Sequence, residues 1–170
     1  YEKNDTLKVA KLVKKYLSKE NVKVVNVGDK IIRPYNDTEV KIVKNYYDYK
    51  AEAESQERSL IYYEGTYMQS SGVAYSKGEA FDIVAILPGT VKEVKEDTTL
   101  GNVITIEHEN GITSVYQSLS DITVKAGDKV EQGFVIAKSA TSNISTDLNN
   151  HVYFELIING SCVNPENYYD

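Results

Sequence analysis

Apolar and polar positions alternate with two different periods along this chain. Between Thr6 and Asn21, Leu7, Ala10, Leu12, Val13, Tyr16 and Leu17 recur close to helical spacing, with lysines between them and Asp5 placed as the N-cap. That spacing predicts a short N-terminal helix that either packs on a body or continues a tether toward a membrane. Val22–Val27 and Val40–Tyr49 follow as β-rich stretches, separated by a Gly28-Asp29 turn and by Pro34–Asp37. Ala51–Arg58, with Glu52, Glu54, Glu57 and Arg58, reads as a loop or a solvated helical turn. From Ser59 onward the pattern changes to short strands punctuated by glycine. Leu60–Met68, Phe81–Ile86, Gly89–Val94, Val103–Glu109, Ile112–Leu119, Lys129–Ser139 and His151–Ile158 each have strand length. Asn110-Gly111 between two of them predicts a two-residue hairpin, because a type I′ turn needs positive φ at both central residues. Many short strands at close spacing predict a mostly β fold, an antiparallel β-sandwich or open barrel, and not a βαβ sheet. The division expected is an N-terminal helix with peripheral strands over residues 1–58 and one β domain over residues 59–170.

Composition narrows the chemistry. The 170 residues carry 19 basic and 25 acidic side chains, a net charge of −6, which argues against a surface for nucleic-acid phosphates. Hydrophobic residues at 41% and charged residues at 26% fit a folded domain. Tyrosine dominates the aromatics, 14 against 3 Phe and no Trp, which suits half-exposed strands and interfaces. Cys162 stands alone, so an intrachain disulfide and a Cys-based zinc cage are both excluded. No P-loop or G-x-S-x-G elbow is present. The sequons at Asn4, Asn36, Asn143 and Asn159 matter only in a eukaryotic secretory protein. No apolar run approaches the roughly 18 residues that cross a bilayer. Because the chain begins at Tyr1 rather than Met, it is expected to be a fragment of a longer protein.

Several linked stretches carry a resemblance. Val115–Ser139, His151–Gly160 and Val163-Asn-Pro165 follow Ser70-Ser-Gly-Val-Ala74 and Leu87-Pro-Gly-Thr-Val91 in fixed order. Together they resemble the core of a LytM-type (lysostaphin-like) peptidoglycan endopeptidase, over about residues 60 to 170. The resemblance implies one zinc held by the His and Asp of an HxxxD motif and the second His of an HxH motif. The first HxH His and a His on a neighbouring strand would assist. Alternation explains the HxH spacing, since residues i and i+2 of a strand face one side.

Carried over position by position, the first ligand falls on Ser70, the second on Ala74, the third on Tyr153, and the strand His on Ser118, leaving only His151. A methyl group cannot bind zinc, and a neutral hydroxyl or phenol is a poor replacement for imidazole or carboxylate. No catalytic residue, metal ligand or cofactor is therefore expected, and Ser70, Ala74, Ser118, His151 and Tyr153 line a vestigial groove. A Ser70 or Ser118 nucleophile with His151 as base would need an orienting acid and an oxyanion hole, which no local signature supports. His151 itself reads as a hydrogen-bonded structural residue. His108, beside the predicted hairpin, reads as a surface or packing residue. The Tyr46, Tyr47, Tyr49 and Tyr62, Tyr63, Tyr67 groups are half-buried strand residues or, alternatively, a recognition surface.

Within that group, Tyr67-Met-Gln-Ser-Ser-Gly72, Thr113–Ser120, Asn150-His151-Val152 and Val163–Asn167 are similar to the stage II sporulation protein Q family of endospore-forming Firmicutes. The resemblance implies a single-pass forespore membrane protein whose LytM domain faces the space between forespore and mother cell. It implies binding to the mother-cell membrane protein, stage III sporulation protein AH, during engulfment, and a part in an intercellular channel. An edge strand extended by the partner, with tyrosine-bearing loops, would suffice for such binding, and the edge used is not legible in the sequence. A peptidoglycan-binding module and a residual zinc endopeptidase are the alternatives.

Overall fold

The computed structural model describes residues 30–170. The predicted helix over Thr6–Asn21 and the strand over Val22–Val27 lie outside the described residues. Among the described residues twelve strands run from β1 (Lys41–Lys44) through β2 (Leu60–Tyr63), β3 (Thr66–Gln69), β4 (Val73–Gly78), β5 (Asp82–Val84) and β6 (Gly89–Asp97). They continue with β7 (Gly101–Glu107), β8 (Ile112–Ser120), β9 (Lys129–Val130), β10 (Val135–Ser139), β11 (Asn150–Ile158) and β12 (Ser161–Val163). A short helix, α1 (Ala53–Arg58), precedes β2. The main sheet has the order β1-β4-β11-β8-β7-β6-β9, with β10 joining β8 to β5 and β12 added to β11. Every strand pair is antiparallel, and β2 and β3 form a separate hairpin. This is the mostly β, antiparallel architecture that the strand pattern predicts.

Strand alternation builds the core. Along β11, Val152, Phe154 and Leu156 point inward and are fully covered, while Tyr153 and Glu155 face the other side. Tyr116 of β8 stacks its ring 5.2 Å from that of Phe154, and its buried hydroxyl accepts from the Ile86 amide. Asn110 and Gly111 both take positive φ, 61° and 73°, and join β7 to β8 as the dipeptide predicts.

Several boundaries differ from the sequence reading. Leu60–Met68 is not one strand but a hairpin, folded at Glu64-Gly65 with φ of 48° and 78°. Lys129–Ser139 is broken by a turn at Gly133 (φ 82°), and only Lys41–Lys44 of the Val40–Tyr49 stretch pairs in the sheet. Strand β4 had no alternation to announce it, because Val73, Ala74, Tyr75 and Ser76 are all buried. The chain's end is tied to residue 33: the Arg33 guanidinium donates from Nη1 and Nη2 to the two oxygens of Glu166, at 2.8 and 2.9 Å. The Tyr75 hydroxyl donates to the same carboxylate at 2.9 Å, and Glu166 pushes the already high Arg33 pKa further up.

Candidate functional site

Of the predicted groove residues, Ala74 lies on β4, Ser118 on β8, and His151 and Tyr153 on β11, while Ser70 lies in the link between β3 and β4. Ser70, immediately after β3, donates from Oγ to the Gly72 carbonyl at 2.8 Å and sits 3.4 Å from the Tyr153 hydroxyl. Ala74 lies directly across from Tyr153 in the β4–β11 register, and its methyl is fully covered. The three positions that the resemblance assigns to zinc ligands therefore do converge.

His151 enters the same face two residues earlier. Its Nδ1 is 2.8 Å from the Asn149 carbonyl, so that nitrogen carries the proton and Nε2 presents a lone pair, 3.5 Å from Ser142 Oγ. Asn149 adopts φ 55° and ψ −138° to aim that carbonyl, a conformation unusual for a residue with a side chain. Ser118 interrupts β8 with φ 67° and donates from Oγ to Ala140 O at 2.7 Å. Ser118, His151 and Tyr153 border one cavity of about 230 Å³. Ile61, Met68, Leu100 and Ile144 supply its apolar walls; Gln117, Ser142 and Glu155 add polar groups. The sequence reading missed these last three. Glu155 carried a signal, since it is two residues past Tyr153 on one strand; Gln117 and Ser142 reach the cavity through tertiary register alone.

The donors at the three ligand positions do not fit zinc. Ser70 Oγ spends its proton on Gly72, Ala74 offers carbon, and burial pushes the Tyr153 phenol upward, away from the phenolate that a metal would need. No buried side-chain nitrogen or oxygen among the described residues lacks a hydrogen-bond partner, so no orphaned donor atom awaits an ion. Among the described residues no three His, Cys, Asp or Glu side chains cluster as a metal would require.

Both histidines titrate in a way that can be measured. Burial holds the imidazoles of His151 and His108 below the ordinary histidine pKa, and His108 is pinned at 2.8 Å to both Pro88 O and Ser114 Oγ. His108 is thus half-buried, with both ring nitrogens engaged. The unfolded chain binds these protons more readily, so the stability they contribute is complete above pH ~6.5 and is lost as pH falls through the folded values. Urea midpoints should be flat from pH 8 to 7 and then decline, each histidine adding a slope of at most about 1.4 kcal/mol per pH unit. The carboxylates of Asp37, held low by Lys77, and Asp97, held low by the Leu100 and Thr99 amides, respond only at more acid pH. A profile that stays level down to pH 5, or is unchanged in H108N and H151N, would contradict the assignment.

Comparisons with known proteins agree with this geometry. The pattern of peptidase family M23 matches residues 68–165. Stage II sporulation protein Q of Bacillus subtilis (strain 168) is 41% identical over 156 residues, 88% of this chain and 55% of that protein, so the chain spans about half the length of this relative. A chain of the SpoIIQ–SpoIIIAH pore-forming complex superposes with a TM-score of 0.81 at 41% identity, covering 84% of this chain and 92% of that one. The catalytic domain of lysostaphin from Staphylococcus simulans shares the fold, at a TM-score of 0.57 and 22% identity, over 75% of this chain and 90% of that one. With residues 68–165, more than half its length, matched, the chain belongs to peptidase family M23, and within that family it is similar to stage II sporulation protein Q.

Proposed function

We propose that this chain is a non-catalytic scaffold of sporulation. In this reading it binds the extracytoplasmic domain of stage III sporulation protein AH across the space between forespore and mother cell, and supports engulfment and an intercellular channel. The observation that carries the reading is the pairing of a 41% identical fold, seen in a complex of SpoIIQ with SpoIIIAH, with a ligand set of Ser70, Ala74 and Tyr153 that cannot hold zinc. The full protein is placed in the forespore membrane by a single anchoring helix; among the described residues no helix is long and apolar enough to cross a membrane. Residues 59–170 act as the degenerate LytM domain, and residues 1–58 as its peripheral extension.

A candidate edge is present. Strand β1 pairs only with β4 and leaves its other side unpaired among the described residues, with Ile42 and Val43 exposed. Tyr46, Tyr47 and Tyr49 follow it directly, so a partner strand added there gains backbone hydrogen bonds and aromatic anchors together. Mixing the two purified domains at tens of micromolar should give a joint peak in size-exclusion chromatography. Two separate peaks reject the reading. Stoichiometric zinc in protein purified without chelator would instead favour a residual endopeptidase, and retention on purified sacculi a wall-binding module.

A further inference from the structure

The cavity bordered by Ser118, His151 and Tyr153, which Ser70 and Ala74 do not line, holds a charge that nothing among the described residues neutralises. Glu155, half-buried on β11, takes part in none of the ion pairs there. Its two oxygens accept only from neutral groups, Gln117 Nε2 at 3.2 Å and the Cys162 thiol at 3.3 Å. The same cavity holds the buried His151, whose Nε2 lone pair has only the distant Ser142 hydroxyl beside it. The Glu155 carboxylate and the His151 Nε2 lone pair, which the Ser142 hydroxyl approaches at 3.5 Å, make an accepting floor. An ammonium or guanidinium answers it, because those groups are donors only.

Size and walls restrict the rest of the ligand. Pockets for small molecules usually span about 300–1,000 Å³, and this one has about 230 Å³, enough for one long side chain. Ile61, Met68, Leu100 and Ile144 form an apolar wall suited to the methylene stem of such a side chain. Ile61 and Met68 pair across the β2–β3 hairpin and face the cavity. Tyr62 and Tyr67 pair on its other face with ring centroids 4.8 Å apart, and both are more than half exposed.

We propose that this cavity receives a single lysine or arginine side chain of the protein partner, with its cationic head on Glu155 and its stem along the apolar wall. The site so assigned rests on the partner-binding reading above and adds to it the chemistry of the anchor.

Two variants test it by isothermal titration calorimetry against the purified partner domain. E155Q removes the charge. Q117K places an ammonium of the chain's own beside Glu155, occupying the pocket from within while giving the carboxylate a counter-ion in the folded state. Both should weaken binding at least tenfold, with Q117K melting no lower than the parent. Separately, the isolated parent chain should show amide shifts around Glu155 and His151 on titration with Nα-acetyl-lysine N-methylamide, and Q117K should not. If the parent binds the partner and both variants bind within twofold of it, the pocket assignment fails and the scaffold reading stands. If the parent does not bind the partner at all, the scaffold reading fails, and the lysine-analogue titration still decides whether the pocket takes a cation. Retention on sacculi that depends on Glu155, without partner binding, overturns the choice of a protein ligand.

Discussion

Introducing the three missing donors together, as S70H, A74D and Y153H, is expected to yield a chain that retains one zinc per molecule through dialysis, while the parent retains none. The expectation follows from backbone geometry. Ser70 already reaches within 3.4 Å of the Tyr153 hydroxyl, and Ala74 is the cross-strand partner of Tyr153. Two imidazoles and a carboxylate projected from these positions can meet around one ion with bonds of about 2.0–2.2 Å, leaving a fourth position open. The substitutions have a cost without metal. In A74D a carboxylate replaces a fully buried methyl, and the cross-strand neighbour on β1, Lys44, commits its ammonium to the Leu60 carbonyl at 2.8 Å. The apo variant should therefore melt below the parent. Zinc at 100 times its dissociation constant should return about 2.7 kcal/mol, seen as a melting temperature that chelator lowers in the variant and leaves untouched in the parent. Any one substitution alone should bind no zinc. Endopeptidase activity is not expected to follow, because Ser118 still stands where the resemblance implies an assisting histidine. A folded triple variant that ignores zinc would mean that the three positions do not form a ligand set, and the reading of the groove as a vestigial metal site would fall.

What the sequence made legible, and what it hid, divides along physical lines. Strands with one wet face announced themselves: β8 and β11 alternate, and Asn110-Gly111 named its own turn because Asn and Gly are the residues that favour two successive positive φ angles. Asn159-Gly160 carries the same signature, φ of 49° and 82°, and closes the β11–β12 hairpin; the Asn159 amide donates to the Gly111 carbonyl, so the two turns pack on each other. Strand β4 was silent because both its faces are covered. In the groove, Ser70, Ala74, His151 and Tyr153 could be placed only because the resemblance supplied the motif positions they occupy. Gln117 could not, since it reaches Glu155 only through the β8–β11 register, nor could Ser142, which a loop delivers to His151. Spacing encodes what one strand presents; a cavity assembled from separate strands and a loop is written in their pairing.

Gly72 sits where those two kinds of information meet, and G72A is expected to be the most damaging small substitution in the domain. The residue lies between Ser70 and Ala74, just before β4 joins β11. A Cβ built on Gly72 would stand 2.2 Å from the Phe154 carbonyl oxygen and 2.9 Å from Glu155 Cγ. The first of these is backbone of a central strand whose side chain, Phe154, is wholly buried against Tyr116, so it cannot swing aside as a flexible side chain would. The clash can be relieved only by moving β4 away from β11. That movement loosens the Val73–Phe154 and Ala74–Tyr153 pairs and pulls Ser70 away from Tyr153. A loss of at least about 3 kcal/mol in urea unfolding is expected, at the upper end of single-residue effects. Gly127 is the fitting control: it holds φ at +93°, but nothing lies within 4 Å of where a methyl group on it would stand, so G127A should show backbone strain alone, about 1–2 kcal/mol. If G72A unfolds within 1 kcal/mol of the parent, the close approach of β4 to β11 that brings the groove together is wrong, because no packed sheet can hide a methyl group inside a carbonyl oxygen.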